Sequence, residues 1–194
     1  MRAGSFLAPL AELLYTSSPM KRLALTALTF FCAATLRAED PATFPVGGLT
    51  FTRPADWAWV PVNSPMRKAQ LKVPGAKPNE AADITFFHFG PEGGGDVQSN
   101  AQRWIGQFRG GEDKAKIDPQ QIGGAKVTLV TTEGTFSSGM PGGPATVMEN
   151  YALLGAIIEH ADGSVFVKMT GPAALVKELR KKFLDFLAAA LPAK

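Results

Sequence analysis

The sequence predicts an α+β domain, with a mainly antiparallel sheet covered by helices on both faces as an α/β/α sandwich. Three observations carry that prediction. Period-two and period-3.6 hydrophobic patterns follow one another in the order strands, helix, strands, helix. Asp162-Gly163 sits between two apolar runs, which is a tight-hairpin signal and makes the sheet antiparallel. Ile84–Phe89 and Tyr151–Ile158 carry bulk at both parities, so they belong to strands covered on two sides.

The first segment, residues 1–38, reads as a leader whose core is 20–38. Lys21 and Arg22 supply a positive start, Leu23 to Leu36 an apolar run too short to span a bilayer comfortably, and Ala38 a small residue for cleavage. Leu36 is larger than the residue usual at that place, and cleavage after Ala34 is the alternative. Residues before Met20 read as an over-long start, with an uncleaved anchor as the competing reading. A cleaved leader implies a periplasmic or secreted protein with no stable membrane span left.

Removing the leader changes the charge. The whole chain has 20 Lys and Arg against 17 Asp and Glu. Residues 1–38 hold Arg2, Lys21, Arg22 and Arg37 against Glu12, which leaves 16 of each sign. A body without net charge lacks the basic footprint that nucleic acid requires. The one cysteine, Cys32, lies in the leader, so the mature chain forms no disulfide, thiolate nucleophile or cysteine metal site. About 155 residues suffice for one core stabilised by packing.

After a Pro- and Gly-bearing linker at residues 39–48, a single globular domain is expected over 49–192. Its opening strands are Leu49–Thr52, Ala58–Val62, Ala69–Val73 and Ile84–Phe89. Asp96 is a good N-cap for a helix whose Val97, Ala101, Trp104, Ile105 and Phe108 share one face. Gln98, Asn100, Gln102, Arg103 and Gln107 take its outside, and Gly110-Gly111 is expected to end it. A polar connector then leads to strands Lys126–Phe136, Val147–His160 and Ser164–Thr170. Gly171-Pro172 opens a closing helix buried through Leu175, Val176, Leu179, Phe183, Phe186, Leu187 and Ala190, with Pro172 in its first turn. Glu178–Lys182 and Lys181–Asp185 are spaced as surface pairs.

From about Leu49 to Leu191 the pattern resembles the PsbP/Mog1-like fold group, particularly its small secreted bacterial members. The resemblance rests on Leu49-Thr-Phe-Thr-Arg-Pro-Ala-Asp-Trp57, on the Trp104 helix, and on Gly171-Pro172 before a helix ending in Phe-Leu-Asp-Phe-Leu. It implies a sandwich fold and a binding or assembly accessory to larger protein machines. It implies no catalytic residues, because the group shares no catalytic apparatus.

Candidate chemistry is sparse. His160, Glu159, Asp162 and Ser164 cluster at one turn, but neighbours across a tight turn point in alternating directions and do not form a triad. His88, among Phe86, Phe87 and Phe89, reads either as a strand-end histidine with a backbone partner or as a polar group lining a pocket. A metal site would need both histidines with Glu149 or Glu159. Gly93-Gly94-Gly95-Asp96 lacks the Lys-Ser/Thr of a phosphate loop, and Asp96 repels anions, so it reads as a flexible turn. Trp57 and Trp59 share a parity and would form a contact patch if both were exposed. Arg67 in one loop and Met140 in another complete the candidate binding residues Trp57, Trp59, Arg67, His88 and Met140.

The expected function is that of an exported, non-enzymatic accessory protein binding an envelope or secreted protein, or a small ligand, without a cofactor. The alternative is a hydrolase or metal-dependent enzyme using His88 or His160 with nearby carboxylates. A self-associating surface component is a third possibility.

Overall fold

In the computed structural model, which describes residues 40–139 and 146–191, the strand expected at Leu49–Thr52 is the second arm of a hairpin whose first arm and turn lie in the stretch expected to be a linker. Strands β1 (Thr43–Val46) and β2 (Leu49–Thr52) pair antiparallel, with Val46 opposite Leu49. Gly47 and Gly48 form the two-residue turn at φ +54° and +78°. Both angles are left-handed, the requirement of the hairpin turn whose twist matches its strands. Phe44 and Val46 are buried while Thr43 and Pro45 face out. Pro45 is tolerated because this two-stranded ribbon has free edges. The hairpin therefore belongs to the domain, whose compact unit runs Ala38–Lys194.

The main sheet holds β3 (Ala58–Trp59), β4 (Arg67–Pro74), β5 (Ala81–His88), β6 (Phe108–Arg109), β7 (Lys116–Ile122), β8 (Ala125–Ser138), β9 (Thr146–Ile158) and β10 (Val165–Pro172). Its order is β3-β4-β5-β10-β9-β8-β6, and β7 also pairs with β8. Every pairing among the described residues is antiparallel. With helices α1 (Val97–Ile105) and α2 (Ala173–Ala190), the domain is α+β.

Two predicted stretches changed identity. The polar connector contains β7, an edge strand whose residues are mostly exposed and so carry no apolar alternation. The first helix stops at Ile105, with the Gly106 N–H bonded to the Gln102 carbonyl at 2.9 Å, short of Gly110-Gly111. Phe108 is buried as expected, but as a residue of β6 opposite Phe136. Asp96 does cap this helix, its Oδ1 accepting from the Ser99 N–H at 2.8 Å.

Ala101, Trp104 and Ile105 of α1 pack with Phe108, Val130, Leu153, Ile157 and Phe166. Leu175, Val176, Phe183, Phe186 and Leu187 of α2 pack in a second cluster with the β1–β2 hairpin, Trp57 and sheet residues such as Leu71, Ile84, Phe86 and Leu154. Along β9, Leu153 and Ile157 enter the first cluster and Leu154, Ala156 and Ile158 the second. Alternation of a strand buried on both sides produces that division. Close approach of α1 depends on Gly155, where a β-carbon would lie 2.4 Å from Trp104 Cζ3.

At the start of α2, Pro172 is the last residue of β10 and the N-cap, at φ −50° and ψ 132°, and so stands just outside the first turn. Lys181 and Asp185 pair as predicted at 2.7 Å. Lys182 pairs instead with Asp56, and its ammonium lies 5.6 Å from the Trp57 ring. No helix among the described residues is long and apolar enough to cross a membrane.

Candidate functional site

The central rows of the sheet place polar side chains in an otherwise apolar framework. Gln70 of β4 lies opposite Thr85 of β5, and Thr85 opposite Lys168 of β10. One row away, Arg67 lies opposite Phe87 and Phe87 opposite Phe166. Phe87 and Phe166 belong with α1's cluster, so these rows open on the α1 side. There α1 leaves the β4–β5–β10 part partly exposed: Arg67, Gln70, Asp83, Thr85, Phe87 and Lys168 are all half-buried.

Arg67 and Lys168 belong to this surface, and the exposed Arg103 of α1 lies near enough for its charge to act on Lys168. The Arg67 Nη1 donates to Gln70 Oε1, and its guanidinium sits 6.0 Å from the Phe87 ring. The Arg67 Nε is buried and has no hydrogen-bond partner among the described residues. Lys168 Nζ donates to Gln107 Oε1 and stands 5.1 Å from the Phe136 ring. Arg103 donates through Nη2 to Asn100 Oδ1 at 2.5 Å. Asn100 is in turn held by the Gly94 and Asp96 carbonyls at 2.5 and 2.9 Å. Burial, followed by the Arg103 and Arg67 charges, pushes the Lys168 amine down to about 8.

None of the three pairs with a carboxylate among the described residues. Asp83 shares the face, but it lies opposite Lys72 and accepts from Gln70 Nε2 at 3.2 Å. An open sheet face with uncompensated, oriented cations can hold an anionic group.

The other sequence candidates fall elsewhere. Trp57 is fully buried, its ring 5.0 Å from Phe186, and Trp59 is half-buried, 5.3 Å from Phe44. The two tryptophans are hairpin and α2 packing, so they form no exposed contact patch. Arg67 opens β4 instead of lying in a loop, and it alone of the candidate binding residues reaches the cation cluster. Met140 lies outside the described residues.

His88 donates from Nε2 to the Asp162 carbonyl at 2.8 Å, the backbone partner that a strand-end histidine needs. His160 Nδ1 accepts from the Asp162 N–H at 3.3 Å and lies 3.7 Å from the Asp162 carboxylate. Both rings press on the β1–β2 turn: β-carbons at Gly47 and Gly48 would fall 2.5 Å from His88 Cδ2 and 2.7 Å from His160 Cε1. The histidines thus share one end of the sheet. Glu149 lies about 33 Å along β9 from Glu159 at strand rise, so it cannot serve both of them. Among the described residues, no group of three or more His, Cys, Asp or Glu side chains could hold a metal ion.

A hollow of about 560 Å³ lies between the start of α2 and β7–β9, lined in part by Lys116, Thr131, Leu154, Val176, Lys177 and Arg180. Its Lys114 is already paired with Glu133 at 3.0 Å. We place the candidate site at the sheet face because Arg67 and Lys168 there are half-buried, whereas Lys116, Lys177 and Arg180 of the hollow are exposed.

Sequence reasoning missed Lys168, Arg103 and Gln107. Lys168 did leave a signal, as the one charge within an apolar strand where an unpaired ammonium is costly. Arg103 and Gln107 read as the solvated side of α1, where Arg103 is exposed as expected and Gln107 half-buried; Asn100, read the same way, is only 3% exposed. No protein-family model matches the chain, and no curated protein matches it in sequence.

Proposed function

We propose that this chain is an exported, non-enzymatic accessory protein that binds a partner protein or small ligand through the open face bearing Arg67, Arg103 and Lys168. The observation that carries this reading is that Arg67, Arg103 and Lys168 have no carboxylate at ion-pair distance among the described residues, while both arginine charges act on Lys168. A folded chain tolerates such a cluster at a cost, because like charges repel, and a bound anion relieves it. The leader supports delivery to the periplasm or beyond, after cleavage near Ala38. The packing of α1 and α2 in separate clusters supports an α/β/α sandwich of the PsbP/Mog1-like kind.

Crosslinking the tagged protein in its native cell envelope, followed by mass spectrometry, tests this function. The mature chain should begin at Glu39, and a reproducible partner should be captured. Capture should fall with Arg67→Ala and Arg103→Ala and persist with Lys181→Ala on the outer face of α2. Capture indifferent to both arginine variants, or a chain retaining its leader in the cytoplasm, would overturn the reading.

A further inference from the structure

We infer that the hollow between the start of α2 and β7–β9 is a site for a small organic dicarboxylate, Lys116 taking one carboxylate and Lys177 with Arg180 the other. It lies apart from the face bearing Arg67, and neither site depends on the other.

Two elements build its walls. On the sheet, Lys116 of β7 stands opposite Thr131 of β8, and Thr131 opposite Leu154 of β9. Directly opposed residues share a side of the sheet, and Leu154 belongs to the α2 cluster, so this row faces the helix. On α2, Ala173, Val176, Lys177 and Arg180 recur at i, i+3, i+4 and i+7, which is one helical face, and all four line the hollow. Cations therefore border it from both sides. Lys116 roots about 10 Å, two strand spacings, from Leu154, against which α2 packs.

The lining is unbalanced in charge. It holds Lys114, Lys116, Lys177 and Arg180 against Glu133, and Lys114 already pairs with Glu133 at 3.0 Å. The other three have no carboxylate at ion-pair distance among the described residues. Glu112, Asp113, Asp118 and Glu178 are near in sequence but do not line the hollow, and Asp118 accepts from Gln120 Nε2 at 2.6 Å.

Size and floor narrow the ligand. About 560 Å³ lies within the range of small-molecule sites, roughly 300–1,000 Å³. Leu154 and Val176 close the floor at only 1% and 4% exposed, so an aliphatic tail would find little apolar surface there. Recognition must rest on charge and on the hydroxyl of half-buried Thr131. A single carboxylate, or a compact phosphate, would serve one wall. Two carboxylates on a short chain serve both, and the guanidinium fork of Arg180 suits one of them.

Isothermal titration calorimetry at pH 7 and low ionic strength tests the assignment with succinate, glutarate and adipate, against butyrate and inorganic phosphate. At least one dicarboxylate should bind about tenfold or more tighter than either control, and added salt should weaken it because the cations are exposed. Lys116→Gln should remove the advantage of that dicarboxylate over butyrate, and Arg180→Gln and Lys177→Gln should weaken it. Lys181→Gln, whose residue pairs with Asp185, should leave binding unchanged. Thermal melting of each variant should match the parent, as expected for exposed side chains. Silence with all three dicarboxylates overturns the assignment, as does butyrate or phosphate binding as tightly as the best of them. So does dicarboxylate binding that survives both Lys116→Gln and Arg180→Gln, or that falls only with Arg67→Gln. An acidic tetrapeptide that binds more tightly than every dicarboxylate would overturn the choice of a small ligand. Loss of partner capture in the Arg67 and Arg103 variants, with dicarboxylate binding intact, would support both sites as separate.

Discussion

Arg67 stands opposite Phe87 in the β4–β5 ladder, although Ala69, two residues later, stands opposite Phe86. Lys68 is the extra residue of a β-bulge, and it reverses the alternation between its neighbours. Ala69 and Phe86 therefore enter the α2 cluster, while Arg67 emerges with Phe87 on the α1 side. Without that bulge the guanidinium would point into the apolar core.

Deleting Lys68 should consequently destabilise the domain by roughly 3 kcal/mol or more, the cost of forcing a charge among apolar side chains. Lys68→Ala, which keeps the backbone count, should stay within about 0.5 kcal/mol. Urea unfolding compares the two. A deletion no worse than the alanine variant would mean that the bulge does not aim Arg67.

Lys168 should make stability depend on pH. Its folded pKa, about 8, lies below the ordinary 10.5. Below about 8 both states carry the proton and the folded state bears the full penalty. Between that value and 10.5 the folded lysine releases its proton first and the penalty fades, so this contribution to stability rises with pH. Arg103 from α1 and Arg67 from β4 are the charges that act on it, beside Gln107 and Phe136. Lys168→Met should therefore be more stable than the parent by about 2 kcal/mol at pH 7, with the advantage nearly gone by pH 10.5. Urea unfolding of both proteins at the two pH values checks this, and a difference independent of pH would refute it.

Gly155→Ala should be costly for its size. The new methyl would meet Trp104 Cζ3 at 2.4 Å, and neither the ring nor the strand is free to retreat. Overpacking of this kind costs about 1–3 kcal/mol. Adding Trp104→Leu to the same chain should make the glycine change nearly neutral. Equal cost in both backgrounds would show that the two residues do not interact.

Trp57 and Lys182 touch, yet their removal should differ in scale. Trp57→Ala empties a fully buried site beside Phe186 and should cost about 3–5 kcal/mol. Lys182→Ala removes a partly exposed ammonium from Asp56 and should cost about 1 kcal/mol or less. Thermal and urea unfolding give both values. A Lys182 effect as large as that of Trp57 would contradict this ranking.

Much of the fold was legible because burial imposes a period. The two-sided apolar run at Tyr151–Ile158 marked an interior strand, and Asp96 marked a helix start. Two elements were illegible for different reasons. β7 is an exposed edge strand without apolar alternation, and β1, although buried in alternation, hid behind a proline and a glycine pair. Phe108 kept its helical spacing by coincidence while belonging to a strand. Of the candidate site, only Arg67 was found, and it was assigned to a loop.

Sequence alone determined the alternation of strands and helices, the charge balance over residues 39–194, and the absence of cysteine from that stretch. Those are properties of composition and local period, which neighbours along the chain decide. The tertiary structure alone decided which cations share a face. One bulge residue turns Arg67 to the side of Phe87, and β10, set between β5 and β9, puts Lys168 on the same face. Contacts between residues far apart in the chain are set by sheet order and register, and no local pattern encodes them.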